Sequence, residues 1–251
     1  MNGGDAFRPQ AMVLGRLLAI WFALTVMALG LGLMPLPEGV ELPGGGGWAG
    51  ALLASGATVA LSGGLAVVGL WLTRKLGLPG VFRPESDRRG LLLHPLLLGV
   101  GVGFAIVLGN HVFVAMGAPP LPHPEFPGSL VASAAAAIGE EVLFRLFVMS
   151  FWAFILNHLL KRWTASTTSL WIANFIAAMA FAAGHLPAAM MLTDVATPDQ
   201  IPTLVLIEMF LLNGLMGMVA GGRFMKDGLV AAIGVHFWAD IVWHVLAPLA
   251  G

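Results

Sequence analysis

The chain has no cysteine among its 251 residues. That removes disulfides, thiolate zinc sites and cysteine nucleophiles, while leaving the compartment open, since a reduced cytosolic face has the same composition. Charge is scarce as well: 10% of residues are Asp, Glu, Lys or Arg, against about 25% in a soluble globular domain. Water is therefore not its main solvent. The formal charge is −1, and no basic stripe runs outside short loops, which argues against a nucleic-acid partner. No internal repeat, low-complexity tract or long hydrophilic insertion divides the sequence, so one membrane domain over residues 1–251 is expected.

What remains is 58% hydrophobic. Seven apolar segments, at about 11–34, 48–73, 91–117, 128–160, 168–191, 202–223 and 228–250, exceed the roughly 18 residues that suggest a membrane-spanning helix. Each is a continuous mixture of Leu, Ala, Met and Gly, not a series of short alternating strands, so a barrel does not fit. The expected fold class is all-α, a polytopic transmembrane bundle in contact with a lipid bilayer. Turn chemistry separates the runs: Pro35-Leu36-Pro37, Gly44 to Gly47, Pro119-Pro120 and Pro122. The first run is too long for a signal-peptide core and reads as a retained span. Gly99 with Gly103, and Gly217 with Gly221, have the spacing that lets helices approach closely. Chance in a glycine-rich chain explains them equally well.

Basic residues test the span count, because Lys and Arg accumulate in cytoplasmic loops. Arg8 and Arg16 lie at the start, Arg74, Lys75, Arg83, Arg88 and Arg89 after span two, Lys161 and Arg162 after span four, and Arg223 and Lys226 after span six. The loops at 35–47, 118–127 and 192–201 have none. A miscounted span scrambles this alternation. Seven spans with a cytoplasmic N-terminus and an external C-terminus are expected.

Some charges lie where lipid penalises them. A centrally placed ionisable side chain costs roughly 2.5–3.5 kcal/mol on insertion scales, so each calls for a partner or a task. These are Glu140, Glu141 and Arg145 in span four, Glu208 in span six and Asp240 in span seven, accompanied by His185, His236 and His244. Glu141 and Arg145 are four apart and share one helical face, as an ion pair requires. Glu140 lies about 100° round the helix from Glu141, free to face a different neighbour. His236, Asp240 and His244 recur every four residues and form one stripe. At 1.5 Å per residue, Glu140 and Asp240 each lie about 18 Å from the start of their spans, at overlapping depth, whereas His185 computes closer to the outer surface.

These residues fall into three patterns: Glu140-Glu141-Val142-Leu143-Phe144-Arg145 as E-E-x-x-x-R, Phe181 to His185 as F-x-x-x-H, and His236 to Asp240 as H-x-x-x-[N/D]. Together, in this order and on separate spans, they resemble the type II CAAX prenyl endopeptidase and bacteriocin-processing (CPBP, Abi-like) family of intramembrane proteases. The resemblance covers about 128–245, a catalytic core within the domain. Members of that family often have eight helices, so seven to eight spans are expected. The resemblance implies a multi-pass protein of a bacterial inner membrane that hydrolyses a peptide bond in a peptide or protein substrate, prenylated or membrane-anchored. It makes Glu140 the base that activates water, His185 a holder of that water, and His236 and Asp240 the groups facing the oxygen of the attacked carbonyl.

Elementary chemistry agrees with most of this. A carboxylate desolvated among apolar helices suits a base working near neutral pH, and an imidazole orients water or donates to an oxyanion. Arg145 and Glu141 fit a site-shaping role better than proton transfer. Asp240 is the exception. An ionised carboxylate only accepts hydrogen bonds, so Asp240 is protonated, orients His236 through its ring N–H, or binds a metal. Glu140, His185, His236 and Asp240 are a reasonable zinc set. One carboxylate and two histidines also suffice without metal, so no obligatory cofactor is expected and zinc stays possible.

Plainer readings stand beside these. His111 and His244 read as packed helix contacts, His94 and His158 as interfacial groups, and Trp21, Trp48, Trp71, Trp163 and Trp243 as lipid-interface or packing residues. Glu208 pairs with a histidine or lines a cavity. Buried carboxylates and histidines also build proton relays, so a proton-coupled transporter is an alternative, though no repeats or broken paired helices are visible. A catalytically silent binding or immunity protein is another.

Overall fold

The computed structural model describes residues 7–33, 36, 41–159 and 166–250. Pro35, Pro37, Lys161, Arg162 and Trp163 lie outside them. Among the described residues seven helices are long and apolar enough to cross a membrane. They are α1 (Phe7–Gly30), α2 (Gly47–Leu76), α3 (Arg89–Ala115), α4 (Gly128–Leu159), α5 (Thr167–Thr193), α6 (Thr203–Asp227) and α7 (Leu229–Ala250). No strand occurs among the described residues. The chain is an integral, multi-pass, all-α membrane protein.

Burial separates the helices that carry charge from those that meet lipid. The apolar stretches of α6, α7 and α4 are 50%, 44% and 39% buried, whereas those of α1 and α2 are 17% buried. Large side chains on the outer helices, such as Leu61, Phe104 and Leu108, are exposed, as a lipid solvent allows. A transmembrane bundle gains little from apolar burial between helices, so close approach and polar contacts must hold it. The glycine pairs provide the first of these. A Cβ on Gly99 lands 2.5 Å from the Val235 carbonyl and one on Gly103 2.6 Å from Val242 Cβ, which seats α3 on α7. Gly217 and Gly221 meet Ala178 and Asn174 in the same way, seating α6 on α5. α4 packs on α1, α2, α5 and α7, and α7 on α3, α4 and α6. The two helices that carry the E-E-x-x-x-R and H-x-x-x-D residues are thus central.

Three local departures from regular helix position the site. α4 is α-helical over Gly128–Glu141 and becomes a widened π-helix over Val142–Met149. α7 does the same, α-helical over Leu229–Asp240 and π over Ile241–Leu246. Each widening starts directly after a motif carboxylate, Glu141 in α4 and Asp240 in α7, a placement in which π-bulges often serve function. α5 is not the continuous span its hydropathy suggests: it runs as helix over Thr167–Ala183, turns at Gly184 and His185, and resumes over Leu186–Thr193. Pro187 sits in the first turn of the second piece, where the missing N–H costs nothing and the fixed backbone angle suits a helix start.

Candidate active site

α4 presents neighbouring carboxylates in different environments. Glu141 lies wholly buried with Arg145, Oε2 to Nε 3.2 Å, the ion pair that the four-residue spacing predicts. The guanidinium also lies over the Phe181 ring of α5, 5.4 Å from its centroid, so an apolar neighbour covers a charge that lacks further hydrogen bonds. The Glu140 side chain is 36% exposed against 0% for Glu141.

The two carboxylates do not go to different neighbours. Both reach His236 of α7, on opposite ring nitrogens: Nδ1 lies 3.0 Å from Glu141 Oε1, and Nε2 lies 3.8 Å from Glu140 Oε2. α7 packs against α4, and an imidazole placed between adjacent side chains spans the angle that separates them. A carboxylate already paired with Arg145 only accepts, so Nδ1 carries the proton that Glu141 receives. The residue orienting the His236 ring N–H is therefore Glu141, where sequence reasoning offered Asp240. Asp240 Oδ2 lies 3.6 Å from Nε2, on the same nitrogen that Glu140 approaches.

A cavity of about 570 Å³ joins these groups to the rest of the motif residues. Its lining includes Glu140, His185, His236, Asp240, Glu208 and His244, with an apolar wall from Met191, Met209, Leu212 and Met216. His185 reaches it because α5 breaks at that residue. Its Nδ1 faces the Phe181 carbonyl at 3.0 Å; a carbonyl only accepts, so Nδ1–H donates and Nε2 is the nitrogen left for the cavity. Phe181 ties the three motifs together: its ring meets His185 and His236 edge-on, at 4.9 and 5.5 Å between centroids, besides Arg145. Sequence reasoning gave Phe181 no role beyond its place in the pattern.

The zinc set fits less well. Among the described residues no group of three or more His, Asp or Glu side chains could hold a metal ion. The Nδ1 partners of His236 and His185 leave each Nε2 as the nitrogen a metal would take, and Glu140 Oε2 and Asp240 Oδ2 lie 3.8 and 3.6 Å from that of His236, donors that are present but not gathered into one set.

Other polar groups reach the cavity. Glu208 pairs with Asn110 of α3, Nδ2 to Oε1 2.8 Å, rather than with a histidine. His244, expected as a packing contact, lines the cavity and its Nδ1 lies 3.3 Å from Nδ1 of His123. His123 belongs to the loop between α3 and α4, whose Leu121 and Pro122 also line the cavity, and burial holds its imidazole below the ordinary value. His123 stacks edge-on against Trp243, 4.5 Å between centroids, so that tryptophan is a site residue as well as a packing one. His111 is exposed and bonded to its own helix, Nδ1 to Val107 O 2.7 Å. Asn110 and His123 carry no sequence signal beyond being polar in or near an apolar run.

A family model described as type II CAAX prenyl endopeptidase Rce1-like matches residues 122–242. No curated protein and no solved structure matched the chain. The matched segment contains the E-E-x-x-x-R, F-x-x-x-H and H-x-x-x-D residues and four of the helices that line the cavity. Over that segment, just under half of its length, the chain is similar to the Rce1-like CAAX proteases, intramembrane proteases of the CPBP family.

Proposed function

We propose that the chain is an intramembrane endopeptidase that hydrolyses a peptide bond with water activated by Glu140 and His185. The observation that carries this reading is the meeting of α4, α5 and α7 at one cavity, with Glu140 Oε2 3.8 Å from His236 Nε2. Water between the Glu140 carboxylate and His185 Nε2 gives its proton to Glu140 as its oxygen attacks the carbonyl carbon. The charge that develops on the carbonyl oxygen meets His236, whose ring Glu141 and Arg145 fix through Nδ1–H. When protonated, Nε2 donates to that oxygen, and Asp240 beside Nε2 keeps its proton on the cavity side. Collapse of the tetrahedral species breaks the C–N bond, and Glu140 returns its proton to the leaving amine. No step requires a resident metal.

The cavity's apolar wall supports a substrate that brings apolar surface with it, a prenylated peptide or a membrane-anchored protein. The test is purified enzyme incubated with prenylated peptides and with a membrane proteome, wild type beside Glu140→Gln and His236→Ala. Both variants are expected to insert and purify normally and to lose cleavage by at least two orders of magnitude. Wild-type enzyme treated with a chelator is expected to keep its activity. Cleavage by Glu140→Gln at the wild-type rate overturns the roles, and loss on chelation that zinc restores overturns the metal-free route.

A further inference from the structure

The steps above leave Glu208 without a task. It is 2% exposed and lines the catalytic cavity. Asn110 donates to Oε1 at 2.8 Å, while Oε2 has no hydrogen-bond partner. A link between α3 and α6 needs only one acceptor, which a neutral amide supplies as well. A carboxyl group with a free oxygen at membrane depth is costly without a further partner. None of the described residues donates to Oε2, and the cavity lining includes Glu140, Asp240 and Glu208 but neither Lys nor Arg, so the cavity is the route by which a cationic partner reaches it.

Position along the bundle sets the distance to the chemistry. α6 and α4 both start at the end of the bundle that carries the 118–127 loop. Glu208 lies five residues into α6 from Thr203 and Glu140 twelve into α4 from Gly128, which at 1.5 Å per residue places them about 7.5 and 18 Å deep. The difference of about 10 Å equals roughly three residues of extended chain at 3.3 Å each.

We propose that Glu208, clamped by Asn110, is a specificity-determining residue that binds a basic side chain of the substrate about three residues from the scissile bond, on the side of the cavity mouth. A substrate carboxylate at that point meets like charge. A Lys or Arg side chain supplies both the missing donor and the missing cation, with an aliphatic stem that suits the methionine and leucine wall. The proposal rests on the proteolytic reading for its register relative to the scissile bond, not for the binding itself.

The experiment uses the full chain in nanodiscs of neutral phosphatidylcholine, with Glu140→Gln to prevent turnover. The probes are fluorophore-labelled, acetylated and amidated Leu/Ala decapeptides carrying a single central Lys, Gln or norleucine, with binding read by anisotropy. The Lys peptide is expected to bind at least tenfold more tightly than the other two. Adding Glu208→Gln, which keeps an acceptor for Asn110, is expected to bring the Lys-to-norleucine ratio close to one at an unchanged thermal midpoint. Glu208→Asp, which keeps the charge, is expected to retain part of the preference. Equal binding of Lys and Gln peptides, a preference that survives Glu208→Gln, or no binding of any probe overturns the proposal. The same peptides given to wild-type enzyme separate the two readings: a Lys preference in binding with no cleavage of any substrate counts against the protease mechanism and leaves the subsite standing.

Discussion

The two ends of the bundle use buried polar groups in opposite ways. At the end rich in Lys and Arg they bind one another. Gln10 of α1 bridges the loop after α2, donating to Phe82 O at 2.7 Å and accepting from Val81 N at 2.7 Å. The same loop pairs with the α6–α7 junction through Leu229 N to Gly80 O and Val230 N to Val81 O, both 2.9 Å. Asp227 accepts from Ser86 and pairs with Arg223, which also donates to Gly90 O at 2.8 Å. Gly228, at φ 97°, passes so close to Phe82 that a side chain there has no room. At the other end Glu140, Asp240, His185 and Glu208 line a cavity, and Glu208 Oε2 has no hydrogen-bond partner. A polar group that the protein satisfies is a fastener; one left for something else marks where a substrate goes.

Between the ends stands the buried pair Glu141–Arg145, and breaking it has the largest expected effect. Arg145→Ala leaves the Glu141 charge buried without its cationic partner, a loss of about 3–5 kcal/mol, a large fraction of the roughly 5–15 kcal/mol of a typical domain. The variant is expected to give little folded protein, measured as the monodisperse yield after detergent extraction. Combining it with Glu141→Gln removes the orphaned charge and is expected to recover folded protein but not full activity, since an amide anchors His236 Nδ1–H less firmly. Recovery of neither yield nor fold locates the defect in packing against Phe181.

A smaller effect separates the two ends directly. Asp227→Asn keeps an acceptor for Ser86 but removes the charge facing Arg223, at a cost of roughly 1–3 kcal/mol. A lower midpoint of thermal unfolding is expected, with turnover per folded molecule unchanged. Asp240→Asn, by contrast, is expected to change turnover more than the midpoint, because Asp240 faces the cavity. If Asp227→Asn slows catalysis in folded enzyme, the ends are coupled and the fastener has a second role.

Much of this contrast was legible in the sequence, and what escaped has physical reasons. The spans were readable because lipid demands long apolar helices: span six was expected over about 202–223 and runs Thr203–Asp227. The Glu141–Arg145 contact followed from helical spacing. The orientation of His236 did not, because spacing within α4 says nothing of how α7 packs on it. The π-helical stretches after Glu141 and Asp240 were invisible, since widening a helix leaves its composition unchanged. The break at His185 had a signal in Gly184 and Pro187, a glycine followed by a helix-starting proline, outweighed by the apolar run around it. Asn110 and His123 became site residues only through contacts 98 and 121 positions away in the chain, which no local pattern encodes.

The mildest of these contrasts lies where the loop meets the cavity. His123 and His244 share one hydrogen bond between Nδ1 atoms 3.3 Å apart, so one donates and the other must accept. Burial lowers the His123 value below the ordinary 6.5, and the folded state thus favours neutral His123. Its contribution to stability is complete above 6.5 and declines as the pH falls toward the lower folded value, because the unfolded chain takes up the proton first. Acidification turns both nitrogens into donors and weakens the loop's hold on the cavity mouth. His123→Phe keeps the edge contact with Trp243 and removes the titration. The wild type is expected to lose a few degrees more of its thermal midpoint than this variant between about pH 7.5 and 5.5; equal losses mean that the loop is held by Leu121 and Pro122, not by the imidazole pair.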